Sequence, residues 1–179
     1  NFEFWINNKF WNGITVEHQI YPSIKQINQI CNRNNLNLKF EFFKNHSVFL
    51  KIKNIDVKNN FNYDNTINIL EWAESIKNSI ENLEEQISSQ YIEKAMIIGA
   101  SHISQYPILI SEKIKNIITF SLDNSKHNLR LYGTKCICKP FEILRTEKSP
   151  TVILFNSPYK NEMKEQIKKI NNLTKIIEC

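Results

Sequence analysis

Five short apolar runs in the second half of the chain constrain its fold more than any other feature. They are KAMIIGAS (94 to 101), NIITFSLD (116 to 123), TKCIC (134 to 138), TVILFN (151 to 156) and TKIIEC (174 to 179). Most are continuously apolar rather than alternating, the pattern of strands buried on both faces. Between them lie helix signals: a stretch after Gly99 running to about Lys113, a brief helix opened by Pro140, and a helix that Ser157 caps with Pro158 at its first position. Strands that alternate with helices predict a parallel sheet, because a parallel pair needs a crossover that a helix supplies. The fold class read here is α/β, a Rossmann-like parallel sheet covered by helices over residues 91–179.

The first half has a different rhythm. Pro22 stops a helix from running through it, and Ser23 with Gln26 forms a capping box. Ile24, Ile27, Ile30 and Cys31 follow at helical spacing and predict a helix over 23 to 34. LNLKFEFF (36 to 43) and SVFLKIK (47 to 53) read as two strands joined by a Lys44-Asn45-His46 turn. The asparagine-rich stretch 54 to 65 reads as a linker. Ile69, Trp72, Ile76, Ile80, Leu83 and Ile87 then recur every three or four residues, the stripe of one long amphipathic helix over 66 to 90. The expected division is 1–55, 56–90 (linker and connecting helix) and 91–179.

Charge and cysteine content narrow the partners. The net charge is +5, but lysines and acids alternate along most of the chain. A nucleic-acid binder gathers basic residues on one face or in one run, so no nucleic-acid partner is expected. No apolar run reaches the ~20 residues of a membrane span, and no secretory signal is visible; no membrane partner is expected. Four sparse cysteines fit a reducing, cytoplasmic setting rather than a disulfide scaffold. Cys136 and Cys138 form a C-x-C pair with no second pair to complete a zinc site, which leaves them as buried thiols on one strand face and no metal site expected. Asn1 in place of methionine gives the expectation of a processed chain or a piece of a longer one.

In a sheet of this kind ligands sit outside the carboxyl ends of the strands. Those ends are Gly99-Ala100-Ser101-His102, Asp123-Asn124 and Asn156-Ser157. A glycine allows the tight turn, the amides opening the next helix can receive a phosphate, and an acid closing the second strand can hold a ribose. Lys126 can neutralise a diphosphate from the same loop. Ser101 and Ser104 stand where a dinucleotide fingerprint has its second and third glycines, which disfavours NAD and FAD. An ordinary strand–turn–helix accounts for the same glycine equally well. Glu17 and His18, just before the capped helix, are either an acid/base pair or two solvated side chains.

These motifs, taken in order, resemble the C-terminal half of the S-adenosylmethionine-dependent sugar C-methyltransferases, which act on nucleotide-linked deoxysugars. FWNGITVEHQIYPS matches that family's Tyr-x-Glu-His segment and the Tyr-Phe-Ser after it through Glu17, His18, Tyr21 and Ser23, with Thr15 and Pro22 as departures. Of its His-Gly-Gly-Ser motif, Asn45-His46-Ser47 keeps only the serine. NILEWAESIKNSIENL is similar to its connecting helix, and IIGAS, LDNSKHN, YGTKCI and FNSPYKNEM follow its second Rossmann-like unit.

The resemblance implies Glu17 and His18 as the catalytic acid/base residues that remove the proton beside the sugar's keto group. It implies Gly99, Ala100, Ser101, His102, Asp123, Lys126, Gly133, Asn156 and Tyr159 as binding residues for the nucleotide-sugar. Residues 1–55 become the closing strands and helix of an incomplete methyltransferase domain. S-adenosylmethionine is then expected as cofactor only with an N-terminal methyltransferase half as partner, since the family's zinc cysteines and glycine-rich donor loop would precede Asn1. The alternatives are a nucleotide-sugar-binding or interaction module without methyl transfer, and the sugar-nucleotide domain of an acyltransferase, which resembles the chain from Ile97 to Asp123 but leaves the Glu-His segment and the long helix unexplained.

Overall fold

A computed structural model describes residues 2–11, 22–43, 47–54, 68–125, 128–131 and 133–179, without the His102 side chain. The Glu17–His18 pair, the Lys44-Asn45-His46 turn, Lys126 and most of the asparagine-rich linker lie outside the described residues. The chain forms two compact units, Asn1–Trp72 and Ala73–Cys179.

The first unit opens with α1 (Phe2–Asn7), a helix outside the elements read from the sequence. Next comes α2 (Ile24–Arg33), and the expected capping box is complete. The Gln26 amide donates to Ser23 Oγ at 3.0 Å, and the Ser23 amide donates to Gln26 Oε1 at 2.8 Å. A third bond comes from far away in sequence: the Ile24 amide donates to the buried Glu3 carboxylate at 3.2 Å. A carboxylate at a helix N-terminus satisfies an orphan amide and complements the helix dipole. β1 (Leu36–Phe43) and β2 (Ser47–Asn54) pair antiparallel in a two-stranded sheet. The face carrying Leu36, Leu38, Phe40 and Val48 packs on Ile24, Ile27 and Cys31 of α2. At the end of the unit Trp72 Nε1 donates to the Phe10 carbonyl at 2.9 Å, and Lys9 pairs with Glu71 at 3.0 Å.

The unit boundary falls inside α3 (Ile69–Ser89), the long helix read from its stripe; Ile76, Ile80, Leu83 and Ile87 are buried as that stripe requires. β3 (Ala95–Ile98), β4 (Ile118–Leu122), β5 (Ile137–Lys139), β6 (Thr151–Leu154) and β7 (Lys175–Glu178) form one parallel sheet in the order β5-β4-β3-β6-β7. The order reverses between β3 and β6, so the α/β class and Rossmann-like architecture are observed. On one face Met96, Leu122 and Val152 pack with Phe141 and Leu144 of a 3-10 helix (Phe141–Arg145) and Ile167 of α6 (Lys160–Ile170). Strand alternation sends Ile97, Ile153 and Ile177 to the opposite face, where they are also buried.

Three boundaries differ from the sequence reading; one is the strand read over 134 to 138, which as β5 begins only at Ile137. The helix after Gly99 is two helices, α4 (His102–Ile110) and α5 (Glu112–Ile117), because Ser111 Oγ accepts from the Ile114 amide and starts a second cap. Asn116 and Ile117 therefore end α5 instead of opening the strand. The helix expected at Ser157–Pro158 begins at Lys160: residues 157–159 form a turn in which the Lys160 amide donates to the Ser157 carbonyl at 3.1 Å. Among the described residues no helix is long and apolar enough to cross a membrane.

Candidate functional site at the strand carboxyl ends

β3 and β6 flank the topological switch point, the position in open α/β sheets where a crevice forms between diverging loops. After β3 come Gly99, Ala100, Ser101 and the start of α4; after β6 come Phe155, Asn156 and Tyr159. Gly99 takes φ +87°, a conformation L side chains rarely adopt, so glycine fits the backbone here. Its amide donates to the Leu122 carbonyl at 2.8 Å, and the fully buried Ser121 donates its hydroxyl to the Gly99 carbonyl at 2.6 Å. The turn is thereby fixed to β4 from both sides.

Asp123 closes β4 and reaches the same turn. Its Oδ2 accepts from the Ala100 amide at 3.1 Å, while Oδ1 accepts from the Ser125 amide at 2.8 Å and the Ser125 hydroxyl at 2.7 Å. The Asp123 amide in turn donates to the Lys139 carbonyl, and Asn124 Oδ1 accepts from the Phe141 amide at 3.0 Å. One aspartate–asparagine pair thus ties together the ends of β3, β4 and β5. The amide nearest the glycine turn is already engaged by a carboxylate. Any phosphate at α4 therefore falls to the next amides, those of His102 and Ile103, which helix geometry leaves without intrahelical acceptors. Ser104 Oγ accepts from the Ser101 amide and donates to the Ser101 carbonyl, holding the first turn in place.

Across the switch point, Lys160 at the start of α6 pairs with Glu178 of β7 at 3.0 Å, and Lys164 binds the same carboxylate. Hydrogen bonds from Lys164 and then Lys160 hold the Glu178 carboxyl below its usual range. Lys160 is a cation beside Tyr159 that sequence reasoning passed over, as it did Ser121 and Ser125. The Asp-Asn-Ser run was the available signal, since Asp and Asn side chains bind backbone two residues on.

The structure brings Gly99, Ala100, Ser101, the backbone of His102 and Asp123 to one rim, with Asn156 and Tyr159 following β6 on the other side of the switch point. It does not bring Gly133 there. That glycine takes φ +70°, and a Cβ on it would stand 2.9 Å from Leu109 in the last turn of α4. Leu109 lies seven residues beyond His102, about 10 Å along the helix axis. Cys136 and Cys138 are both buried on β5 or just before it, as their alternation predicts. Burial, with Cys138 nearby, pushes the Cys136 thiol up to about 11. Among the described residues no cluster of three His, Cys, Asp or Glu side chains is arranged to hold a metal ion.

Two clefts lie at the opposite, amino ends of the strands. One of about 670 Å³ is lined by Arg145, Lys148, Lys168 and Asn171, and one of about 440 Å³ by Lys94, Thr119 and Thr151. The chemistry-bearing rim carries more weight than these hollows. It holds the switch point and the first amides of α4, whereas Lys168 of the larger cleft is tied to the Asn172 and Thr174 carbonyls of the loop after α6. The chain matches no protein-family model, no curated protein and no solved structure.

Proposed function

We propose that residues 91–179 recognise a nucleoside-diphosphate deoxysugar, and that the chain is the substrate-recognising C-terminal portion of a S-adenosylmethionine-dependent C-methyltransferase. The observation that carries this reading is the sheet order. It sets Gly99-Ala100-Ser101 and Asn156 on the two sides of the switch point, with Asp123 bonded to the Ala100 amide between the ends of β3 and β4. A ribose then lies over Asp123, the diphosphate meets the first turn of α4, and the sugar extends toward Asn156 and Tyr159. The resemblance assigns Lys126 to the diphosphate and Glu17 with His18 to the acid/base step.

The described residues do not fit the methyl donor. Gly99 is the one glycine among them at a strand-to-helix turn, and it belongs to the sugar-nucleotide side. That same observation favours a second reading, a nucleotide-sugar-binding module without methyl transfer.

Calorimetric titration of the chain with a panel of nucleoside-diphosphate sugars tests the binding reading. Asn156→Ala and Lys126→Ala are expected to weaken the complex, and Cys136→Ser to leave it unchanged. Absence of heat with every nucleotide sugar sinks the proposal.

A further inference from the structure

Lys39, Lys51 and Lys53 alternate with apolar residues and form no basic run. Strand pairing gathers them. Lys39 stands opposite Lys51 and Asn37 opposite Lys53, which places all three lysines on one face of the β1–β2 ribbon. Directly opposed side chains are about 5 Å apart, and Lys53 follows Lys51 at about 7 Å along the strand. All three are exposed, and among the described residues none has an acidic partner within ion-pair distance. Like charges opposed across strands cost stability, and an anion bound across the pair relieves that cost. The same face ends in Phe43 and Phe49, whose rings meet edge to face with centroids 6.2 Å apart. They are 50% and 64% exposed. The reverse face is the one that packs on α2.

We propose that this face binds single-stranded nucleic acid, with backbone phosphates on Lys39, Lys51 and Lys53 and a base stacked at Phe43–Phe49. A basic track beside aromatic rings is what an unpaired strand requires, since every base has a π-face and every nucleotide a charge. Other occupants fit less well. A second copy of the hairpin brings lysine against lysine. An anionic bilayer that buries the rings also draws in Glu41, which stands directly opposite Phe49. A nucleobase instead offers that carboxylate an exocyclic amino group. A polyanion without bases uses the lysines alone, and a duplex hides the base faces.

Fluorescence anisotropy of a labelled 12-nucleotide single strand against the full chain, over a salt series, tests the proposal. Three phosphate contacts give a slope of log K against log salt of about −2, from roughly −0.7 per contact. Lys51→Ala is expected to reduce the slope by about 0.7. Phe49→Ala should weaken binding by about fivefold or more at unchanged slope, and Phe49→Trp should restore it. Excess uridine diphosphate should not displace the strand, which separates this face from the rim of the other unit. No binding at low salt overturns the proposal. So do wild-type affinity in Phe49→Ala, equal affinity for a duplex or for heparin, and binding only to vesicles of anionic lipid.

Discussion

Replacing Asp123 by alanine tests whether its carboxylate holds the Gly99–Ala100 turn. The structure divides its work into unequal parts. The Ala100 amide belongs to a buried residue and donates to Oδ2 at 3.1 Å, whereas the two donors to Oδ1 belong to exposed Ser125. Losing the acceptor for a buried donor costs about 1–3 kcal/mol. The Ser125 groups gain water instead, so their share is near zero. Because the chain has two units, a global unfolding midpoint mixes their stabilities, and hydrogen exchange resolved to the Ala100 amide is the sharper assay. A cost of about 1–3 kcal/mol corresponds to exchange faster by about 5- to 150-fold, at about 1.4 kcal/mol per factor of ten. Asp123→Asn, which keeps one carbonyl acceptor, should fall between wild type and Asp123→Ala; Ser125→Ala should exchange like wild type. Equal acceleration in Ser125→Ala and Asp123→Ala, or none in either, refutes the assigned division.

At the start of α2, Ser23→Ala removes one half of a formed capping box and should cost about 1 kcal/mol, read from urea unfolding followed at the first unit. The Glu178 carboxyl, held down by Lys164 and Lys160, contributes stability that is present above its unfolded pKa and is lost as pH falls through its lowered folded value. Wild type should therefore lose more stability than Glu178→Gln on acidification below 4.5. The pair is partly exposed, so solvent screening keeps the difference to about 1 kcal/mol or less; equal pH profiles contradict the sign.

The parts of this fold written locally were legible in the chain. The Ser23–Gln26 box, the stripe of α3 and the apolar runs of β3, β4, β6 and β7 each depend on neighbours a few residues away. Long-range pairing was not. Nothing near Ile24 announces that Glu3, 21 positions earlier, will accept from its amide. Likewise the opposition of Lys39 and Lys51 exists only once the hairpin register is set. Capping by Ser111 was visible in principle, but the apolar run of 106 to 110 masked a break between helices. At the candidate rim, Gly99 and Asp123 were readable as residue types at strand ends. That Asp123 occupies the Ala100 amide was not, because the sequence shows which groups are close to a turn but not which of them are already satisfied.

The sheet order also sets a timetable. β3 is the central strand, and one of its two neighbours, β6, begins at Thr151, while β3 ends at Ile98. At a translation rate of about 5–20 residues per second, the intervening residues take roughly 3–10 s to emerge. During that interval β3 can pair only with β4, and its other edge is an unclaimed row of amides and carbonyls flanked by Met96 and Ile97. Such an edge templates pairing with any strand that reaches it first. The nascent chain therefore passes through a window in which half a sheet is built and its apolar middle is uncovered, a period when a chaperone has most to offer and a neighbouring nascent copy is most dangerous.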